Sequence, residues 1–363
     1  MYKDRREFLE ELLQGKELLG IEIGALDKPL VKREDLPEGN KVLYADHLST
    51  KNLKKKYKLD SSVDLNALVD VDLISPDGNY LDSLQGQLVD YVVASHVVEH
   101  VPNPILWFQM LFEIIRPGGF IFLVIPDKRF TFDYQRPVTT FGDLLQSFLT
   151  QKNAPSIADV FDHYSSAVMI DGGKVWSGLL GSTDLIPLTS NEKALEYATE
   201  VYSDNTYHDV HVSIFTPVSF FSIIERLIHA ELLYPEVIKF KDTNINDIEF
   251  FVCLKKPKAS QNHLKLMCLN SIPDLSLETL VSPYMPQVKS LNESLSKITD
   301  LHKSLEDAYS RKEAEVKNQR DEIQCLEKEL NSLRRVLNRK GVKFVLHLLD
   351  RIFKIAPSLK KFF

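Results

Sequence analysis

Four short stretches end an apolar run in a polar or acidic residue, as strand ends that hold a ligand do. The first is Leu18-Leu19-Gly20-Ile21-Glu22-Ile23-Gly24-Ala25, an apolar run closing in acid-x-glycine. A glycine at a strand-to-helix turn lets the backbone approach a nucleotide-sized ligand. The full G-x-G-x-x-G pattern is absent, which disfavours a dinucleotide and its pyrophosphate. Asp46 closes the second run, VLYAD. A carboxylate there can accept hydrogen bonds from two vicinal ribose hydroxyls, or it can cap the next helix. In the third stretch, Ser75-Pro76-Asp77-Gly78-Asn79, the acid can face an adenine amino group or make an ordinary Pro-Asp-Gly turn. The fourth, Asp90-Tyr91-Val92-Val93-Ala94-Ser95-His96-Val97-Val98-Glu99-His100, runs from a buried strand directly into polar residues.

Positioning these residues takes a regular scaffold. Residues 18–125 alternate apolar runs with helical stretches, the pattern of a parallel α/β sheet. Strands are expected at 19–23, 41–45, 67–73, 89–94 and 120–125. A helix over 104–115 should stop at Arg116-Pro117-Gly118-Gly119. Residues 127–212 are polar, aromatic and without clear period, and read as an inserted lid. Helical spacing returns over 215–233, opened by Thr216-Pro217 as N-cap and first helical residue. Strands at 237–240 and 249–254 would close the sheet, giving a domain over 1–256.

Beyond it, 257–287 carries Pro257, Pro273, Pro283 and Pro286 and reads as a linker. From Val288 a 3-4-3-4 spacing runs through Leu291, Leu295, Ile298, His302, Leu305, Tyr309, Lys312, Val316, Gln319, Ile323, Leu326, Leu330, Leu333 and Leu337. A 3.5-residue period held over 288–338 predicts a coiled coil about 75 Å long and a homo-oligomer, dimer or trimer. The alternative is a long helix packed on the domain. Residues 339–363 read as a basic amphipathic helix, with Val342, Val345, Leu349, Ile352 and Phe353 on one face. Such a helix suits an anionic membrane surface or a protein partner such as a glycosyltransferase.

The bulk numbers narrow the function class. The 363 residues are 44% hydrophobic and 10% aromatic, as in a globular protein. A net charge of −7 gives no reason to expect nucleic acid. Cys253, Cys268 and Cys325 are scattered and form no CxxC pair, so neither a zinc framework nor disulfides are expected, and a reducing compartment is. The opening MYKDRREFLEELLQGKELLG lacks a signal-peptide core, and no apolar run is long enough to span a bilayer. A cytoplasmic protein, peripheral at the inner membrane face, is expected.

The ASHVVEH stretch, with RPGG following at the matching distance, resembles the class I S-adenosylmethionine (SAM)-dependent methyltransferases over roughly residues 18–126. The versions LEIGALDKP, YADHLST, ASHVVEHVPNPI and VIPDKRFTFD resemble a bacterial group that occurs with surface-polysaccharide enzymes. The resemblance implies a Rossmann-like sheet, SAM as cofactor and a glycan or other small-molecule acceptor. Gly24 and Ala25 would pass the methionine part, with Glu22 beneath. Asp46 would take the ribose, Asp77 and Asn79 the adenine, and Ser95 and His96 the sulfonium side. The first motif reads G-A-L where the family has G-x-G.

A hydroxyl acceptor benefits from a general base, and His96, His163, His208 and His211 are the candidates, led by His96. His100 reads as structural. His208 and His211 are spaced like two metal ligands, but without an evident third, so no metal is expected. Asp127-Lys128-Arg129 could orient an acceptor or form a salt-bridged turn. Two rival readings are an inactive methyltransferase-fold scaffold and a glycosyltransferase using Asp70-Val71-Asp72 as a metal grip.

Overall fold

The computed structural model describes residues 2–204, 206–258, 261–275, 285–337 and 342–355. It divides into two units, Met1–Val288 and Lys289–Phe363. In chain order the first unit holds α1 (Tyr2–Glu10), β1 (Leu19–Ile23), β2 (Lys41–Asp46), α2 (Thr50–Lys56), β3 (Leu73–Ile74), β4 (Val89–Ser95), α3 (Pro104–Ile114) and β5 (Ile115–Pro126). Next come α4 (Phe141–Leu149), α5 (Ile157–Ser166), β6 (Val168–Met169), α6 (Gly172–Ser177), β7 (Ile186–Pro187) and α7 (Asn191–Asp204). The unit closes with α8 (Pro217–His229), β8 (Glu236–Lys241), β9 (Glu249–Lys255) and α9 (Gln261–Asn270).

Seven strands make one sheet in the order β3-β2-β1-β4-β5-β9-β8. β1 to β5 pair in parallel, and β9 lies antiparallel between β5 and β8. This is the expected Rossmann-like sheet. The strand order reverses at β1, which has β2 on one side and β4 on the other. A crevice opens outside the carboxyl ends at such a point, and ligands of open α/β sheets bind there.

Both faces of the central strands are buried, so those strands are largely apolar and their residues divide between two cores. Ile21, Val92, Ala94, Ile121, Leu123, Phe250 and Val252 face one core, covered by α3 and α8. Tyr91, Val93, Phe122, Val124, Phe251 and Cys253 face the other. There α1 packs Phe8 onto Phe122, ring centroids 5.1 Å apart, and edge-on against Phe251. Gly20 cannot be replaced: a Cβ there would sit 2.0 Å from the Tyr91 ring.

Several sequence expectations are corrected. The third strand is only Leu73–Ile74, because it pairs with β2 solely at Ala45 and Asp46. Asp70-Val71-Asp72 therefore precedes it. Asp72 accepts a hydrogen bond from the Tyr44 amide at 2.7 Å and pairs with Arg33, so its carboxylate is engaged in the scaffold. The helix ends at Ile114, just before Arg116-Pro117-Gly118-Gly119 as expected, but the fifth strand starts already at Ile115 rather than Phe120 and takes those residues in. Gly118, at φ +90°, donates its amide to Lys256 O, and the register against β4 shifts between Val89 and Tyr91.

The 127–212 insertion is mostly helical. Its helices α4 and α5 begin with capping boxes, Thr140 with Asp143 and Ser156 with Asp159. Phe130 stacks on Trp176, centroids 4.0 Å apart, in a small core of its own. Within the stretch expected as linker, Gln261–Asn270 is helix α9, and its Cys268 is fully buried in the main core.

The second unit holds all but the first turn of α10 (Met285–Leu337), a single 53-residue helix, and α11 (Val342–Ile355). Leu291, Leu295, Ile298, Leu305, Tyr309, Val316, Leu326 and Leu333 on α10 are exposed. Residue 338 of the expected coiled coil and residues 339–341 and 356–363 of the expected basic segment lie outside the described residues. Among the described residues, no helix is long and apolar enough to cross a membrane.

Candidate active site

The strand ends around the switch point line one cavity of about 620 Å³, within the size range of small-molecule sites. Gly24 follows β1, Asp46 ends β2, Ser75 and Asp77 follow β3, and His96 follows β4; all five line it. Ala25, Glu22, Asn79, Ser95, His163, His208 and His211 lie outside that lining.

Gly24 adopts φ +68°, and a Cβ there would come 3.2 Å from Val97 Cγ2. The turn that carries it is fixed from below by Glu22. That buried carboxylate accepts the Leu30 and Val31 amides at 2.6 and 2.8 Å. Burial pushes the Glu22 carboxyl up to about 7, against the opposing pull of those two bonds. Ala25 points into the α1-side core.

Asp46 is 6% exposed. Its Oδ1 accepts the Leu48 amide at 3.1 Å and lies 2.8 Å from His47 Nδ1. Among the described residues, Oδ2 has no hydrogen-bond partner, so it is free to accept from a ligand. Asp77 Oδ1 accepts from the Asn79 amide and from Ser75 Oγ, the bonds of a turn, and these hold it below the usual carboxylate range. Asn79 is exposed, and its own Oδ1 accepts the Leu81 amide.

His96 sits in the left-handed region at φ +54°. Its Nε2 is 2.7 Å from Glu249 Oε2, at the start of β9, and 3.2 Å from Arg5 Nη2 on α1. Arg5 also donates to Ser95 Oγ at 3.3 Å and grips both Glu249 oxygens. Burial raises the Glu249 carboxyl, but His96 and Arg5 outweigh it and hold the acid below its usual range. α1 and β9 thus meet over the end of β4.

The remaining histidines sit in the insertion or beside it. His211 is buried, with Nδ1 2.5 Å from Asp133 Oδ2. Arg136 donates to Asp133 at 3.1 Å and to His211 O at 2.8 Å. His163 Nδ1 accepts the His211 amide, and burial, then the His211 and Arg136 charges, push its pKa down to about 3. His208 lies 3.2 Å from Glu200, against the Tyr164 and Tyr197 rings. It is not brought to His211 as a second metal ligand. His100 lines the cavity, its Nδ1 3.0 Å from Asp209, which also holds Lys56 at 2.8 Å. Asp127 is fully buried and bonded to Arg129 and Thr243, the salt-bridged turn rather than an acceptor grip.

Sequence reasoning missed Arg5, Glu249, Asp133 and Asp209. Arg5 and Glu249 are 244 residues apart, and neither falls in a motif. Asp133 and Asp209 stand in TFDYQRP and YHDVH beside residues already singled out.

The family model described as "Methyltransferase domain" matches residues 8–220. No curated protein matches. Among solved structures, the chain is similar to a SAM-dependent methyltransferase from Aquifex aeolicus, at 10% identity and TM-score 0.34, covering 70% of this chain and 89% of that one. A SAM-dependent methyltransferase from Methanosarcina mazei shows 11% identity and TM-score 0.36, covering 69% and 97%. Magnesium protoporphyrin IX methyltransferase from Synechocystis, solved with bound S-adenosylhomocysteine, shows 10% and 0.32, covering 70% and 81%.

Proposed function

Because this chain belongs to the methyltransferase-domain family and is a SAM-dependent methyltransferase, we propose that it O-methylates a sugar or glycan hydroxyl in surface-polysaccharide biosynthesis. The observation that carries the cofactor half is Asp46. It is a buried carboxylate with one oxygen fixed by the Leu48 amide and the other unpartnered, at the rim of the switch-point cavity. A ribose diol fits that oxygen. Gly24 would let the methionine part pass close to the backbone, and Asp77 would face the adenine.

Bound there, the cofactor supplies an activated methyl on sulfur, so the protein's task is mainly to hold acceptor and methyl in line. In this reading His96 takes the acceptor's hydroxyl proton, with Glu249 orienting the ring. His163 is neutral over the working pH range and packs behind His211, so it is the weaker base candidate. Support for a glycan acceptor comes from the likeness of LEIGALDKP, YADHLST, ASHVVEHVPNPI and VIPDKRFTFD to the polysaccharide-associated group.

The exposed apolar row on α10 supports a homo-oligomer joined by that helix, and the basic composition of 339–363 supports docking at an anionic membrane face. Two measurements test the proposal. Isothermal titration should show SAM binding that Asp46→Ala weakens strongly. Deleting the gene should remove one methyl from the mass of a surface glycan. An unchanged glycan profile with SAM binding intact would reject the acceptor and keep the enzyme.

A further inference from the structure

Behind the cavity wall, the acid after β4 has no role in the cofactor reading. Glu99 is 1% exposed, and neither carboxylate oxygen accepts a hydrogen bond; His96 Nδ1 stands 3.6 Å from Oε1, too far for one. A buried carboxylate whose oxygens lack donors costs free energy unless something compensates it. What lies beside it is a donor set. The backbone amides of Val212 and Ser213 donate to Glu99 O at 2.6 and 3.0 Å, which draws His211 alongside. One ligand atom each from Glu99, His100 and His211 falls within 4.8 Å of the others. The two imidazoles meet edge to face, centroids 4.7 Å apart.

Each histidine has a carboxylate near its Nδ1, and that of His211 is hydrogen-bonded to it. His211 Nδ1 is held by Asp133 at 2.5 Å, which leaves Nε2 as its second nitrogen. His100 Nδ1 lies 3.0 Å from Asp209. A carboxylate that holds one ring nitrogen so that the other can bind a cation is the usual outer shell of a metal-ligating histidine.

We propose that Glu99, His100 and His211 form a binding site for one divalent transition-metal ion of the zinc class, with coordination positions open toward the cavity. Two imidazoles and a carboxylate are the donor set of open zinc sites. The ion gives the Glu99 oxygens the partner that hydrogen bonding does not. His100 lines the cavity, so the open side faces the space where the acceptor enters, and an oxygen ligand such as an acceptor hydroxyl or water completes the coordination. This use of the ion rests on the hydroxyl-acceptor reading above; the site itself does not. It also departs from the sequence expectation of no metal, because the third and second ligands come from the ASHVVEH stretch rather than from His208.

The test uses the full chain, stripped with a chelator and titrated with Zn²⁺ by calorimetry and with Co²⁺ by visible absorption. One ion per chain is expected, with the d–d bands of a nitrogen and oxygen site. No sulfur-to-cobalt band should appear, which separates this site from Cys253, Cys268 and Cys325. Glu99→Gln should abolish stoichiometric binding. Asp133→Asn, which spares every ligand, should weaken it roughly 10- to 100-fold. Circular dichroism checks that both variants are folded; if one is not, the wild-type cobalt spectrum decides. Absence of binding by the wild-type chain, binding unchanged in folded Glu99→Gln, or a cobalt–thiolate band would each overturn the proposal. SAM titration of the metal-free chain runs alongside, so loss of the metal site and loss of the cofactor reading give different results.

Discussion

Replacing Glu22 by glutamine tests how the turn under the cofactor cavity is held. In the native protein the carboxyl is buried and its pKa is pushed up to about 7, whereas in the unfolded chain it lies near 4.5. The folded state therefore holds a proton between those values that the unfolded state has lost. Stability contributed by the protonated form is complete below about pH 4.5 and is lost as pH rises through about 7. Some 2.5 pH units at 1.36 kcal/mol each give about 3 kcal/mol lost across that window. Glutamine cannot ionise, so Glu22→Gln removes this slope. Its own cost is constant with pH, about 1–3 kcal/mol, because an amide NH₂ would face one of the Leu30 and Val31 donors. The stability gap between wild type and variant should thus shrink, and can reverse, as pH rises from about 4.5 to about 7. Urea unfolding followed by tryptophan fluorescence measures it, since both tryptophans, Trp107 and Trp176, are buried in the first unit. A gap that widens with pH would refute the reasoning. It would mean that the two backbone bonds to the ionised carboxylate outweigh its burial.

Three further outcomes follow from other contacts. Asp46→Ala should weaken SAM by about 3 kcal/mol, roughly 100-fold in Kd, through loss of two charge-assisted bonds, read by calorimetry. Arg5→Ala leaves Glu249 buried beside His96 without its guanidinium, and should cost about 3 kcal/mol in urea unfolding. Equal stability of the variant would show that His96 alone neutralises the acid. The double change Ile298→Asp and Leu305→Asp places two charges on the exposed row of α10. Light scattering should then show a monomer where the wild-type chain is an oligomer; a monomeric wild type would remove the coiled-coil reading.

The sheet was legible because its signals are local. Both-face burial makes the central strands largely apolar runs, and Thr216-Pro217 marks the start of α8 as an N-cap followed by proline should. The insertion was less legible because α4 to α7 are short and polar-faced. Even so, the Thr140–Asp143 and Ser156–Asp159 boxes carried a start signal. α9 was hidden by the prolines around it, although Leu264, Met267 and Cys268 supply its buried face. The cavity-lining residues at strand ends could be located because each closes an apolar run and their order matches the family that the motifs resemble. The ionic cluster of Arg5, His96 and Glu249 could not, since attraction between charges leaves no period in a sequence. The grouping of Glu99 with His211 depends on two backbone hydrogen bonds across the chain, which residue type does not encode.

The meeting of α1 with β9 also sets an order of events during synthesis. Phe8 rests on Phe251, and Arg5 is held by Glu249, 244 residues later. At about 5–20 residues per second, the ribosome needs roughly 10–50 s to deliver those partners after α1 has emerged. For that interval Phe8 can rest on Phe122 alone, Arg5 lacks its carboxylate, and β5 exposes an unpaired edge. The end of β4, where His96 sits, stays uncovered until the last strand arrives. A nascent chain halted before β9 should therefore be a target for chaperones and proteases that the finished chain escapes.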